Sequence, residues 1–98
     1  MKVTKLLEND CLILEVSGRI DTITAPELEN EFDAVLSGIR ELIFDFSEVD
    51  YVSSAGLRVI LLAQKKMASR GSMKLIHVAP EVMEVFEMTG FDAILSIE

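Results

Sequence analysis

From Glu41 to Val78 the sequence reads as strand, helix, strand, and that order leaves few folds open. Leu42, Phe44 and Phe46 alternate with Ile43 and Asp45, which predicts a strand over Glu41–Phe46 with one strongly apolar face. A helix is expected from Ser54 or Ala55 to Ser69 or Arg70, closed by Gly71, and a further strand over Met73–Val78. Two strands joined by a helix pair in parallel through a right-handed crossover, so one face of the sheet is committed to helical cover.

The flanking segments extend this unit. Val3–Leu7 and Cys11–Val16 are β-like runs separated by Glu8-Asn9-Asp10, a hairpin signal, with Ser17-Gly18 closing the second run. Thr24-Ala25-Pro26-Glu27 announces a first helix: Thr24 as cap, Pro26 in the first turn, Glu27 placed as in a capping box. Leu28, Phe32, Val35, Leu36 and Ile39 form its buried stripe, and it should end within about two residues of Gly38. Pro80 opens a third helix, striped by Val82, Val85 and Phe86 and ended by Gly90. The last residues, FDAILSIE, should pack back as a short strand or turn.

The expected fold is therefore α/β: one domain over residues 1–98, with a small mixed sheet and helices mainly on one face. Its sheet is an antiparallel N-terminal hairpin followed by parallel βαβ units. Leu12, Leu14 and Val16, then Leu42, Phe44 and Phe46, then Ile76 and Val78 should make the apolar face, covered by Phe32, Leu36, Leu57, Leu61, Val85 and Phe86. Glu15, Asp45 and His77 fall on the other side.

Charge narrows the function. The chain carries 9 Lys+Arg against 17 Asp+Glu, a net charge of -8, which repels a phosphate backbone and argues against nucleic acid as partner. All of the excess lies in residues 1–50, whereas Tyr51–Lys74 holds five basic residues and no acidic one. The longest apolar run, Val59–Ala63, has five residues where a membrane span needs about 20, so no membrane insertion is expected. The first ten residues do not form an export signal, and a lone Cys11 fits a reducing compartment. The chain reads as cytoplasmic and complete in itself.

Catalytic groups are sparse, and neither an enzyme nor a cofactor is expected. His77 sits in an apolar run that suits a half-buried strand position, Cys11 reads as a small core hydrophobe, and the glycines form no phosphate loop. Asp45, Glu48 and Asp50 lie at the end of the central strand, where a hard cation is conceivable, although Ser47, Glu48 and Asp50 also suit a turn. Ser53-Ser54-Ala55-Gly56 is more informative. Either serine can cap the helix that starts there, Gly56 permits close approach, and free N–H groups tolerate a phosphate. In that helix Val59, Leu62 and Ala63 lie off the main stripe, beside Arg58 and Lys66, so either a neighbouring helix covers them or they form a docking surface.

The run DFSEVDYVSSAGLRVILLAQKKMASRG resembles the signature of the STAS domain, and within it the single-domain anti-sigma factor antagonists of bacteria. The opening hairpin, Gly18-Arg19-Ile20-Asp21 and PEVMEVFEMTGF extend the likeness over nearly the whole chain. The resemblance implies a binding switch: the unphosphorylated protein binds an anti-sigma factor that is also a serine kinase, phosphorylation at the start of the second helix releases it, and a serine phosphatase resets it. It places the acceptor at Ser54, with Ser53 as the alternative, and matches Asp21 to an aspartate beside that site. The implied partner-binding surface comprises Asp21, Thr22, Ser53, Ser54, Gly56, Arg58, Val59 and Leu62. Many antagonists have Asp immediately before the acceptor, where this chain has Ser53. The alternative is a STAS module working without phosphorylation in a lipid-transport complex or a stress-sensing scaffold.

Overall fold

A computed structural model describes residues 1–98. Its elements are β1 (Lys2–Glu8), β2 (Cys11–Ile20), α1 (Ala25–Asp33), β3 (Glu41–Val52), α2 (Ser54–Ala68), β4 (Ser72–Ile76), α3 (Pro80–Thr89) and a 3-10 turn at Phe91–Ala93. The strands lie in the order β1-β2-β3-β4, with β1 antiparallel to β2 and the remaining pairs parallel. This is the expected mixed sheet. All 24 buried hydrophobic residues join one cluster between the helices and one sheet face, and no charged or polar side chain is buried within it.

The strands run further than period-two alternation predicts. β2 continues past Ser17-Gly18 to Ile20, and β3 continues past Phe46 to Val52, so Ser47, Glu48 and Asp50 are strand residues rather than a turn. Irregularities between Glu15 and Ser17 and between Gly18 and Arg19 explain the difference. Gly18 takes φ 96°, which shifts the ladder and lets pairing resume at Arg19↔Tyr51 and Ile20↔Val52. Along β3 the buried positions then become Phe46, Val49 and Val52, three apart instead of two.

β4 presents the opposite face from the expected one. Met73 pairs with Leu42 and Leu75 with Phe44, so Met73 and Leu75 are buried, whereas Ile76 and Val78 are only partly so. Residues 73–78 are apolar on both alternating sets, and the register with β3 decides between them. The helical cover shifts similarly: Phe32, Leu36, Leu57 and Phe86 are buried as expected, but Leu61 and Val85 are half-buried and Ile60 and Val82 fill the core.

α1 is shorter than its apolar stripe. It ends at Asp33, and the chain continues through tight turns, Val35 N–H to Phe32 and Ile39 N–H to Leu36, that still bury Leu36 and Ile39. α3 ends as expected at Gly90, whose φ of 79° is the left-handed cap. The C-terminal residues return to the sheet, where Leu75 bridges Ile97 in parallel.

Candidate functional site

The ends of β2 and β3 deliver two helix N-termini side by side. Ile20 pairs with Val52, and one residue, Ser53, separates β3 from α2. The Ser53 N–H donates to the Ile20 carbonyl at 2.8 Å, holding the start of α2 against the end of β2. Ser53 is extended (φ -86°, ψ 175°), and its Oγ accepts the Gly56 N–H at 3.2 Å, so Ser53 is the helix cap. Ser54 follows as the first helical residue. It is exposed, and its hydroxyl has no hydrogen-bond partner within the chain. The two serines thus have different jobs: one closes the helix, the other faces outward.

Gly56 works inward. A Cβ there would meet Ile20 Cγ2 at 2.8 Å and the Ile20 carbonyl oxygen at 3.0 Å. The close approach it permits is that of this chain's own strand, so its expected contact with a partner is corrected to a packing role.

Asp21 starts the turn that leads into α1. Its Oδ1 accepts the N–H groups of Ile23 and Thr24, both at 3.0 Å, while Thr24 Oγ1 accepts the Asp21 N–H at 2.8 Å. The capping box is therefore Asp21 with Thr24, one turn ahead of the expected Thr24 with Glu27, and Thr24 makes no cap bond into the helix. The Thr24 amide is the main cause holding the Asp21 carboxyl below the usual carboxylate range; burial opposes it, and the Ile23 amide, the Thr24 hydroxyl and Arg19 add to the lowering. Arg19 lies 3.9 Å from Asp21 and stacks 4.0 Å from the Tyr51 ring centroid, tying the two strand ends together.

Thr22 is exposed on this face, as are Ile23 (79%) and Tyr51 (40%), two residues that sequence reasoning missed. Ile23 falls outside the buried α1 stripe of Ala25, Leu28 and Phe32, and that break in spacing was the available signal.

On α2, Arg58 is exposed one turn beyond Ser54 on the same side of the helix. Val59, expected on the contact surface, is instead a core residue at 7% exposure, and Leu62 is half-buried. A neighbouring helix covers this second stripe: Lys66 Nζ reaches Asp33 Oδ1 of α1 at 2.6 Å and lies 5.7 Å from the Phe32 ring centroid.

The remaining candidates lie elsewhere. Asp45 Oδ1 accepts the Ser47 N–H at 3.0 Å and pairs with His77 Nδ1 at 3.1 Å on the uncovered side of the sheet. Burial pushes the Asp45 carboxyl up, but the Ser47 amide and His77 outweigh it and leave it below the usual range. His77 is not a half-buried strand residue: it lies past the end of β4, exposed, with φ 58°. Asp45, Glu48 and Asp50 do not converge with one another, nor does any group of three such side chains that could hold a metal. Cys11 is half-buried, and its thiol is pushed up by burial and then by Glu41. No helix is long and apolar enough to cross a membrane.

The division of labour between the serines gives a direct stability prediction. Ser53→Ala removes the cap and costs about 1 kcal/mol, whereas Ser54→Ala removes no bond and changes stability by less than about 0.5 kcal/mol. Urea unfolding of both variants checks this, and equal losses would reverse the assignment of cap and free hydroxyl.

Together, fold and face define a small α/β domain whose sheet presents a capped helix N-terminus to solvent. The chain belongs to the STAS domain family, whose model matches residues 2–98. It is 38% identical to the Bordetella bronchiseptica protein BtrV, provisionally named an anti-sigma factor antagonist, over 99% of this chain and 85% of that one. It is 33% identical to the anti-sigma-B factor antagonist of Listeria monocytogenes, over 93% and 82% of the two chains. Among solved structures, an anti-sigma factor antagonist from Mycobacterium paratuberculosis superposes with a TM-score of 0.88 at 25% identity, covering 98% of this chain and 83% of that one.

Proposed function

We propose that this protein is a cytoplasmic anti-sigma factor antagonist that binds its anti-sigma factor while Ser54 is unmodified and is released when that factor, acting as a serine kinase, phosphorylates Ser54. The relatives' names support the first part, since those of Bordetella bronchiseptica and Listeria monocytogenes are both named for this activity. One observation carries the second. Of two adjacent serines at the start of α2, only Ser54 is exposed with an uncommitted hydroxyl, while Ser53 is occupied by the Gly56 amide.

In the transfer, Ser54 Oγ forms a bond to the γ-phosphorus of ATP, ADP leaves, and the hydroxyl proton passes to a base on the kinase. The product adds about two negative charges. They fall at a helix N-terminus, where the dipole favours them, so phosphorylation leaves α2 folded. Asp21 is held in its charged form beside this helix start, which makes the face more acidic still. A partner surface fitted to a neutral hydroxyl would then face an unmatched charge, so release follows from lost contact without unfolding. A serine phosphatase returns Ser54 to its binding form. The replacement of an acidic residue by Ser53 before the acceptor preserves capping, since Asp and Ser cap equally well, and removes one charge from the kinase's target.

Incubation with the cognate kinase and ATP, followed by phosphate mapping by mass spectrometry, tests the assignment. Phosphate is expected on Ser54 alone; phosphate on Ser53, or on neither serine, would overturn the mechanism.

A further inference from the structure

The sheet closes one of its edges within the chain and leaves the other bare. Beyond β4, the Leu75 N–H donates to Ser96 and the Glu98 N–H to Leu75, both at 2.9 Å, so the C-terminus covers that edge. β1 has no outer neighbour. Six of its seven residues are exposed, including Leu6 (49%) and Leu7 (63%). A long strand edge with apolar side chains is a template for pairing with another strand.

The hairpin determines which backbone groups are free. The two-residue turn Asn9-Asp10 makes Glu8 and Cys11 a hydrogen-bonded pair, and alternation gives Leu6, Thr4 and Lys2 the same status against β2. The N–H and C=O groups of Val3, Lys5 and Leu7 therefore point to the open edge.

We propose that this edge binds the β1 edge of a second copy of the chain, antiparallel about a two-fold axis at Lys5, joining two four-stranded sheets into one of eight. An antiparallel pair must match outward-facing residues with outward-facing residues. Centring on Lys5 does so along the whole strand, setting Val3 against Leu7, Thr4 against Leu6 and Lys2 against Glu8, each twice. Lys2 and Glu8 form no ion pair within the chain, and this register gives both an opposite charge. The two central lysines would repel, but each is already held by Glu31 of its own α1 at 2.8 Å. With two lysines and one glutamate, β1 also escapes the acidity of the rest of the first half, so self-association is not opposed at the contact itself. The edge lies outside the β2–β3 junction that carries Ser54, leaving that face free in the dimer.

Sedimentation velocity on the full chain from about 10 µM to about 1 mM, the range of a weak complex, should show a dimer growing with concentration. Lys2→Glu and Glu8→Lys each place like charges opposite one another twice and should weaken the dimer roughly tenfold. Mixing the two variants restores complementarity and should restore dimerisation. Lys5→Pro deletes an outward N–H and spares the bonds to β2, so it should abolish the dimer while circular dichroism shows an intact fold. A chain monomeric throughout, as expected if the edge serves an extended segment of another protein, would overturn the proposal. So would a dimer indifferent to the charge variants.

Discussion

Ser54→Asp should weaken binding to the anti-sigma factor by about 100-fold, whereas Ser54→Ala should leave it within a few-fold of the natural protein. A factor of 100 corresponds to about 3 kcal/mol, the cost expected when a charge enters a contact without a partner. The same substitution should not weaken the fold. Ser54 is the first helical residue of α2, where a carboxylate interacts favourably with the dipole by about 0.3–1 kcal/mol, and its hydroxyl makes no bond that is lost. Stability and affinity should therefore move in opposite directions in one variant. Titration calorimetry against the anti-sigma factor, with thermal melts of each variant, separates the two. Equal affinity for Ser54→Asp and Ser54→Ala would remove the electrostatic switch, and a destabilised Ser54→Asp would contradict the helix start described above.

What the sequence revealed of this site was its local chemistry, and what it hid was set by tertiary neighbours. Ser53-Ser54-Ala55-Gly56 marks a helix start unambiguously, yet only the extended backbone of Ser53 and its bond to Gly56 decide which serine caps. The Asp21-Thr24 box is equally local, but Thr24-Ala25-Pro26-Glu27 fits the same pattern one turn later. The strand extensions were illegible for a different reason. Two register shifts, one between Glu15 and Ser17 and one between Gly18 and Arg19, each add a residue on β3, so the buried residues Phe46, Val49 and Val52 no longer alternate. In β4 both alternating sets are apolar, so nothing local distinguishes Leu75 from Ile76; pairing with Phe44 does. Val59 shows the same dependence: it lies off the main stripe of its own helix, yet it is buried where α1 packs alongside α2.

Gly71→Ala should be the most destabilising of the small substitutions in this chain, costing about 3 kcal/mol, the upper end of the usual range for overpacking, and lowering Tm by about 12–24 °C. Its position after the helix suits a left-handed cap, but α2 ends at Ala68 with Ser69 as its cap, and Gly71 has no positive φ. The requirement is steric. A Cβ at Gly71 would collide with the Arg40 carbonyl oxygen. Arg40 cannot yield, because its N–H donates to Asp10 at 2.7 Å and its carbonyl accepts the Ser72 N–H at 2.9 Å, the bond that starts β4 beside β3. Gly38 is the informative contrast: its φ is 93°, but nothing lies within 4 Å of a Cβ there, so Gly38→Ala should cost only about 1–2 kcal/mol of backbone strain. Denaturant unfolding of the two variants distinguishes the accounts, and equal losses would refute the steric one. Ser54 begins a 15-residue helix about 22 Å long and Gly71 lies beyond its far end, so Gly71→Ala should lower the amount of folded protein without changing the affinity of what remains folded. The fold thereby separates the residues that set its stability from the hydroxyl on which the switch acts.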